Sequence, residues 1–308
     1  MDDKKVLELL SKFYNINFYS IKLQREGGCI SYYVWDGSDK YFLKLIPSTF
    51  MNTSKQSLDI LMYLDEKGFP VPRIILTKYG LSHIEVDDLD GKIMFVLFEY
   101  IDGNDSNEGE DVQTIGELVG QLHNIMASYQ GKLQVNDKDY FINRYIKILK
   151  QKNYDANKIE IFQEYGNTLW KRVEHLPRGF CHGDLHRGNL LKISCGKYYV
   201  LDFDTSCNAF PIYDIMIMCN TTDYFNFNEE GFHKTKETYE SFLKGYTKYC
   251  TLNDSEISAF YDLIAIYHYQ LQATIIEIYG INCVDNKFLD NQLDWLMKWR
   301  KQCESLII

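Results

Sequence analysis

One stretch constrains this chain more than any other: residues 181 to 204, CHGDLHRGNLLKISCGKYYVLDFD, where charged and amide side chains border two apolar runs. The runs LLKIS and YYVLDF flank Cys195-Gly196-Lys197, a pattern typical of a β-hairpin that turns at the glycine. Antiparallel pairing would bring Asn189, at the start of the hairpin, next to Asp202 at its end. The sequence therefore predicts a fold that places an amide oxygen beside a carboxylate.

Asn189 and Asp202 together have the ligand chemistry of a magnesium site. Oxygen ligands with open coordination positions are what Mg²⁺ takes when it also carries the phosphates of a nucleotide. Asp184, before Asn189 in the chain, would then accept a hydroxyl proton during phosphoryl transfer. The alternative is a polar loop in which His182 and Asp184 are structural hydrogen-bonding residues. The spacing H-x-D-x₄-N, followed by a hairpin and D-F-D, favours phosphoryl transfer.

The first hundred residues carry mainly strand patterns. A short amphipathic helix over 4–12 precedes three aromatic and β-branched runs, NFYSIKL, CISYYVW and KYFLKLI, which predict an antiparallel meander. A helical pattern follows over 52–69, with Thr53 or Ser54 as the expected N-cap. Two further strands are expected at SHIEV and KIMFVLFEY.

A change of composition at residues 102–111, DGNDSNEGED, marks the expected boundary between two lobes near residue 101. We expect a nucleotide-binding lobe over 1–100 and a catalytic and substrate-binding lobe over 101–308. The second lobe is expected to be helical and interrupted only by the hairpin, with helices at 111–128, 139–152, 156–175, 213–220, 231–249, 254–279 and 286–303.

The charge and the cysteines exclude several classes of protein. A formal charge of −10 disfavours a nucleic-acid partner, because binding to phosphate backbones depends on Lys and Arg. The N-terminus lacks the blocks of a signal peptide and no run approaches a membrane span, so a cytoplasmic protein without a membrane partner is expected. The eight cysteines are scattered, which indicates reduced thiols rather than a zinc site or a disulfide framework.

The segments His182-Gly183-Asp184-Leu185-His186-Arg187-Gly188-Asn189 and Leu201-Asp202-Phe203-Asp204 resemble the aminoglycoside phosphotransferase family. The resemblance covers most of the chain through weaker segments: Gly27-Gly28, Lys44, GFPVP at 68–72, LFEYIDG at 97–103, GQLHNI at 120–125 and FPIYDI at 210–215. It implies an α+β, bilobal, protein-kinase-like fold. The N-lobe would be a small antiparallel sheet with one helix between strands, and the larger, mainly helical C-lobe would carry the catalytic hairpin.

The resemblance also implies a role for each matching residue. Asp184 would be the catalytic base, Asn189 and Asp202 the Mg²⁺ ligands, and Asp204 stands where the family often has an acidic residue. On the nucleotide side, phosphates would be bound by Lys44, by the glycine hairpin Gly27-Gly28 and by amides up to Ser31, while the backbone of Glu99 and Ile101 would meet the adenine edge. These residues do not distinguish ATP from GTP.

One position departs from the kinase-like pattern. Such folds orient the strand lysine with a glutamate from the following helix, and the aligned position here is Ser57. Asp59 lies on another helix face and Gln56 is uncharged, so neither is an obvious substitute. This departure motivates the alternative of a non-catalytic, nucleotide-binding pseudokinase.

We expect the acceptor to be a hydroxyl of a small molecule. The acidic stretch 102–111 would suit an acceptor with an amine, as in the aminoglycoside-modifying members, and homoserine, choline or sugar kinases of the same superfamily are the alternatives. Candidate pocket residues, by position only, are Tyr213, Asp214, Tyr224, Tyr267, His268 and Glu277. Asp214 is expected to anchor the catalytic loop rather than to meet the substrate. The sequence leaves both a monomer and a homodimer open.

Overall fold

The structure, a computed structural model, describes residues 2–88, 91–106 and 111–306. It contains two compact units. The first comprises Met1–Asn107, Tyr129–Lys132 and Arg187–Thr205, and the second Glu108–Ser128, Leu133–His186 and Ser206–Ile308. The predicted α+β class, with an antiparallel sheet in one unit and mainly helices in the other, is confirmed. The division of roles between residues 1–100 and 101–308 stays a prediction.

The first unit is built on an antiparallel sheet in the order β1-β2-β3-β5-β4. A helix precedes the sheet, and a second helix connects β3 to β4. The helices are α1 (Asp3–Phe13) and α2 (Met51–Glu66), and the strands are β1 (Ser20–Arg25), β2 (Ile30–Trp35), β3 (Lys40–Pro47), β4 (Ile84–Asp88) and β5 (Gly91–Glu99). The predicted meander, both helices and the two later strands are confirmed.

Alternation along the strands divides the sheet into two different faces. One face joins α1 in a buried cluster that includes Leu10, Val34, Leu43 and Leu97. Successive side chains of a strand point to opposite faces. The neighbouring residue Lys44 therefore lies on the other face, where the register sets it between Ser31 and Val96. A basic side chain in an apolar strand is thus directed away from the core.

The hairpin forms as the sequence predicts, but it belongs to the first unit and not to the lobe over 101–308 in which it was expected. Strands β9 (Leu190–Ile193) and β10 (Tyr198–Val200) pair in antiparallel fashion, and β6 (Gly103–Asp105) adds to the outer edge of β9. The turn closes through a hydrogen bond from the Ile193 amide to the Lys197 carbonyl, with Gly196 at φ +85°. This left-handed conformation favours glycine because a Cβ would crowd the backbone.

The second unit is mainly helical. The long helix α8 begins with a capping box in which Asn253 and Glu256 exchange side-chain and backbone hydrogen bonds. The helices of this unit are α3 (Val112–Met126), α4 (Arg144–Gln151), α5 (Ala156–Val173), α6 (Pro211–Cys219), α7 (Glu230–Tyr246), α8 (Asp254–Tyr279) and α9 (Asn286–Leu306). A small sheet in the order β7-β11-β8 is formed by β7 (Gln134–Val135), β8 (Gly179–Cys181) and β11 (Cys207–Ala209).

Several sequence predictions are wrong in detail. The N-cap of α2 is Phe50 rather than Thr53 or Ser54, because a 3₁₀ turn over Ser48–Phe50 starts the helix earlier. The helix predicted over 139–152 begins with a π-helical turn, Asp139–Asn143, before α4. The hairpin is not the only interruption of the helices, since β6, β7, β8 and β11 also lie beyond residue 101. Residues 107–110 of the acidic stretch lie outside the described residues.

No helix within the described ranges combines the length and the apolar character needed to cross a bilayer. The cytoplasmic location and the monomeric or homodimeric state stay predictions.

Helices α3 and α7 cross closely because glycines stand at their contact. A methyl group built on Gly116 would lie 2.1 Å from the carbonyl oxygen of Phe242, and one on Gly245 would lie 1.9 Å from that of Gln113. Both distances are far below van der Waals contact with rigid backbone atoms. The two helices can therefore pack at this separation only with glycine at these positions.

We expect Gly245→Ala to lower the free energy of unfolding by at least about 2 kcal/mol, because overpacking outweighs the gain in helix propensity. Urea denaturation followed by circular dichroism would measure the change. Gly231→Ala in the same helix is the matched control, since its added methyl would meet Thr222 at an ordinary 3.4 Å. Equal stability of the two variants would contradict the close crossing.

Candidate active site

The Lys44 ammonium lies against two carboxylates that follow the hairpin. Its Nζ atom is 3.1 Å from Asp202 Oδ1 and 2.5 Å from Asp204 Oδ2. The Lys44 side chain is only 20% exposed, so solvent screens the pairs less than it would at the surface. A sheet lysine and the D-F-D segment, far apart in sequence, thus form one charged cluster within the first unit.

The cluster fixes the charge on the lysine. Burial by itself would lower the pKa of the Lys44 ammonium, but the combined attraction of Asp202 and Asp204 outweighs burial and raises the pKa above its ordinary value. Lys44 is therefore a permanent cation at neutral pH. A buried cation of this kind can bind phosphate oxygens wherever they approach it.

The two ends of the hairpin meet as the sequence predicts. The Leu201 amide donates to the Asn189 carbonyl at 2.9 Å, directly beyond the last β9–β10 pair, which makes Asn189 a neighbour of the residue before Asp202. Asp202 has φ +59°, a left-handed conformation that is uncommon outside glycine and that recurs at functional sites. Its side chain remains 52% exposed despite the contact with Lys44.

The residues present fit a divalent cation that shares its coordination with a nucleotide. Asp202 offers an accessible carboxylate, and Asn189 offers an amide oxygen, both of which are hard donors. Among the described residues, no group of three or more His, Cys, Asp or Glu side chains is arranged as a metal site. Mg²⁺ commonly takes one or two carboxylates plus substrate phosphates, so the oxygen donors of Asp202 and Asn189 would suit a site completed by phosphates.

The glycine hairpin lies beside the same cluster. The charges of Lys44, Asp204 and Asp202 all act on the Cys29 thiol, whose pKa is raised chiefly by burial. A Cβ added to Gly28 would meet the Phe50 ring at 3.2 Å, so this position is restricted. The Ser31 hydroxyl donates to Gln24 Oε1 at 2.6 Å within the sheet. Whether the amides from Gly27 to Ser31 contact phosphates stays a prediction.

A row of aromatic side chains follows Lys44 on the same sheet face, and the sequence reasoning missed it. Tyr33, Phe42 and Phe98 lie opposite one another in the register, with ring centroids 6.2 Å apart for Tyr33–Phe42 and 6.4 Å for Phe42–Phe98. The spacing of two between residues 42 and 44 could have revealed the row. Phe98 immediately precedes Glu99, the last residue of β5.

In the second unit, Asp214 holds the backbone of the loop that precedes Asp184, as the sequence indicated. Its fully buried carboxylate accepts hydrogen bonds from the His182 amide at 2.6 Å and from the Gly183 amide at 2.9 Å. His123 Nε2 lies 3.1 Å from the same carboxylate, and its Nδ1 lies 3.0 Å from the Tyr246 hydroxyl. A carboxylate that accepts several hydrogen bonds from buried donors anchors this loop firmly.

Asp184 itself is 43% exposed and faces several polar and aromatic groups. His186 Nε2 lies 3.6 Å from Asp184 Oδ2. The pKa values of the Tyr140 and Tyr267 phenols are raised, mainly by burial and also by the Asp184 charge. The Asp184 charge therefore acts on both phenols.

The predicted pocket residues divide by accessibility. Tyr213 and His268 are fully buried, so these two residues pack in the core. The Asp214 carboxylate is occupied by hydrogen bonds from the loop amides. Tyr224 and Tyr267 are partly accessible, with ring centroids 5.2 Å apart. The Glu277 carboxylate is 44% exposed and pairs with Arg144 at 3.1 Å. The sequence gave no indication of Arg144 or Tyr140, whose guanidinium and ring stack at 4.6 Å.

The fold is similar to those of two solved kinases. An amicoumacin kinase, solved with AMP-PNP, Ca²⁺ and amicoumacin, shares 20% sequence identity with a TM-score of 0.75, covering 99% of this chain and 94% of that one. A microcompartment-associated aminopropanol kinase shares 18% identity with a TM-score of 0.76, covering 99% of this chain and 98% of that one. These structural similarities show that the chain has a kinase-like fold.

The family follows from the sequence match. The model of the phosphotransferase enzyme family matches residues 23–249, and the chain belongs to that family. The resemblance noted above is confirmed at the level of the family, which is one of phosphotransferase enzymes. The homoserine kinase of Methylobacillus flagellatus is 26% identical over 196 residues. That match covers 62% of this chain and only 59% of the relative's length.

We expect Asp214→Asn to lower the free energy of unfolding by about 2 kcal/mol and to slow turnover. One amide oxygen cannot replace both carboxylate oxygens, and the new NH₂ group would face a backbone donor. Urea denaturation and steady-state kinetics would measure the two effects. Asp59→Asn, at an exposed position of α2, is the control, and an Asp214 variant as stable as this control would contradict the anchoring role.

His268 predicts a specific pH dependence of stability. The ring is fully buried and stacks on Trp295 with centroids 4.5 Å apart, and burial lowers its pKa from 6.5 to about 3. Between pH 6.5 and 3 the unfolded chain binds this proton and the folded protein does not. Acid therefore favours unfolding, and the contribution reaches about 2 kcal/mol at pH 5.

We expect His268→Phe, which keeps a ring in the stack, to remove that part of the stability loss between pH 7 and pH 5. Guanidinium denaturation at each pH would measure it. His175→Gln, at an exposed position, should retain the wild-type slope. A wild-type slope in the His268 variant would show that this histidine already protonates in the folded state.

Proposed function

We propose that this protein is an ATP- and Mg²⁺-dependent kinase that phosphorylates a hydroxyl group of a small, amine-bearing molecule. The observation that carries the proposal is the cluster of Lys44, Asp202 and the hairpin end at Asn189, which combines a permanent cation with hard oxygen donors. Phosphoryl transfer needs this combination because its catalysis is mostly positioning and neutralisation of charge.

Each part of the nucleotide would have its own protein surface. Lys44 would bind the α- and β-phosphates, and the amides of the hairpin at Gly27, Gly28 and Ser31 would cover them. Asn189 and Asp202 would hold the divalent cation, which neutralises phosphate charge when it is bound. The aromatic row of Tyr33, Phe42 and Phe98 offers flat apolar surface for the base, next to the backbone of Glu99 and Ile101.

Asp184 would act as the general base. The acceptor oxygen would bond to the γ-phosphorus, the bond from that phosphorus to the bridging oxygen would break, and the acceptor proton would pass to Asp184. ADP would leave with the bridging oxygen. Asp214 and His123 would keep the loop that carries Asp184 in one conformation, so the carboxylate does not need to reorganise during transfer.

An amine on the acceptor suits the groups near Asp184. The Tyr267 phenol is influenced by the Asp184 charge, and its ring would attract a cation, whereas the Tyr140 ring already stacks with the Arg144 guanidinium. The structural neighbours act on amicoumacin and aminopropanol. Homoserine, an amino acid with a hydroxyl, is the most specific candidate, because the curated relative with 26% identity is a homoserine kinase.

A panel of acceptors would test the proposal. Acceptor-dependent release of ADP would be measured with aminoglycosides, aminopropanol, homoserine, choline and, as acceptors without an amine, neutral sugars. ATP and GTP would be compared, each with and without Mg²⁺. Turnover only with amine-bearing acceptors is the expected result. Binding of AMP-PNP with no turnover on any acceptor would instead favour a pseudokinase, and turnover of sugars alone would contradict the amine requirement.

We expect Asp184→Asn to reduce turnover by about 10²- to 10⁴-fold, the range typical of a lost general base, while AMP-PNP affinity changes little. Asp202→Asn should instead weaken binding of the metal–nucleotide complex itself. Calorimetry would measure affinity, and single-turnover kinetics would measure the transfer step. Asp59→Asn is again the matched control. Wild-type turnover in Asp184→Asn would remove the base assignment.

A further inference from the structure

Lys44 finds its anionic partners in a different part of the chain from the one that its position in a kinase-like fold predicts. The aligned helix position, Ser57, is 4% exposed, and its helical neighbour Ser54 is 1% exposed, so hydroxyl groups fill this part of α2. Within the described part of the chain, the ion pairs of Lys44 are with Asp202 and Asp204, and none is with a carboxylate of α2. The lysine is nevertheless firmly held.

Asp202 and Asp204 contact Lys44 differently. The Asp204 carboxylate is closer, at 2.5 Å against 3.1 Å, and its side chain is 25% exposed against 52% for Asp202. An ion pair is stronger when it is shorter and less screened by water. Asp204 therefore makes the shorter and less exposed of the two contacts, and Asp202 keeps more of its side chain exposed to solvent.

The backbone around Asp204 is fixed by packing. Residues Phe203–Thr205 form a short 3₁₀ turn that lies against α2, and the Phe203 side chain is fully buried. Asp204 therefore lies in a turn whose first residue, Phe203, is buried in the core, so its backbone position is fixed. A carboxylate held in this way pays little entropy to keep a lysine in place.

We propose that Asp204 is the positioning residue of Lys44 and takes over the part that a helix glutamate plays in kinase-like folds. The inference rests on the proposed function, because it concerns how Lys44 is held while phosphates bind. It also divides the D-F-D segment by role. The first aspartate serves the divalent cation, and the second holds the lysine.

The division has a physical reason. Once Asp202 turns to a cation, the Lys44 ammonium loses one of its two partners. A mostly buried ammonium without a carboxylate is costly, so a lysine with Asp202 alone would be displaced when the metal site fills. Asp204 keeps the ammonium paired throughout. Lys44 can then remain at one position while the metal, the nucleotide and ADP come and go.

Asp204→Asn tests the proposal through a separation of kinetic constants. We expect kcat to fall by about 10- to 100-fold, as is usual when a group that contacts the reacting phosphates is misplaced. The KM for ATP should change by less than about twofold, since removal of one negative charge near the triphosphate does not weaken attraction. Asp204→Glu, which keeps the charge, should retain a higher kcat than Asp204→Asn.

A second measurement does not depend on activity. Electron paramagnetic resonance of Mn²⁺ would give the affinity of the cation for the complex of the protein with AMP-PNP. We expect Asp204→Asn to bind Mn²⁺ like the wild type and Asp202→Asn to bind it at least about tenfold more weakly, equivalent to about 1.4 kcal/mol. Glu85→Gln is the matched control, because it removes a carboxylate that pairs with Lys55 at 2.6 Å in the same unit.

Three results would overturn the proposal: a kcat of Asp204→Asn within twofold of the wild type, a loss of Mn²⁺ affinity equal to that of Asp202→Asn, or a Glu variant no more active than the Asn variant. The second result would make Asp204 a metal ligand. Circular dichroism would confirm folding, and Asp204→Ser replaces the Asn variant if that variant does not fold. A wild-type protein that transfers phosphate to no acceptor would count against the proposed function instead.

Discussion

The contact between the Lys44 ammonium and the carboxylates of Asp202 and Asp204 is the interaction on which the first unit depends for its chemistry. It connects the central strand of the sheet to the end of the hairpin, two parts of the chain separated by 158 to 160 residues. Without the carboxylates, a cation on an apolar strand would be a liability. With them, the sheet can carry a fixed positive charge next to carboxylate oxygens.

The second unit fixes the loop of Asp184, the proposed general base, by other means. Asp184 stays accessible, and Asp214 makes its loop rigid. The buried Asp214 carboxylate accepts hydrogen bonds from two backbone amides of that loop and contacts His123. The first unit holds Lys44 by ion pairs, and the second holds the loop of Asp184 by hydrogen bonds to its backbone. Both arrangements reduce the reorganisation that phosphoryl transfer would require. The kinase-like fold thus uses two independent devices for preorganisation, each built from side chains within a single unit.

Local chemistry explains which features were predictable from the sequence. The hairpin was, because Gly196 and the flanking apolar runs encode the turn. So was the need of Lys44 for an anionic partner, because its neighbours on the strand are apolar. Partners distant in sequence were not: nothing near Lys44 indicates Asp204, and nothing near Asp214 indicates His123. Strands of two or three residues, such as β7 and β11, are too short to show alternation. His268 lay at a pocket position, yet stacking on Trp295 places it in the core.

The left-handed backbone of Asp202 affects how mutagenesis of this segment should be interpreted. Alanine at a positive φ adds a conformational cost of about 1 kcal/mol, whereas asparagine tolerates that conformation nearly as well as aspartate. The free-energy change measured for an alanine variant would therefore include this main-chain cost and overstate the contribution of the carboxylate. The positive φ also limits which residue types can replace Asp202, since a residue here must tolerate the left-handed conformation and carry a side-chain oxygen.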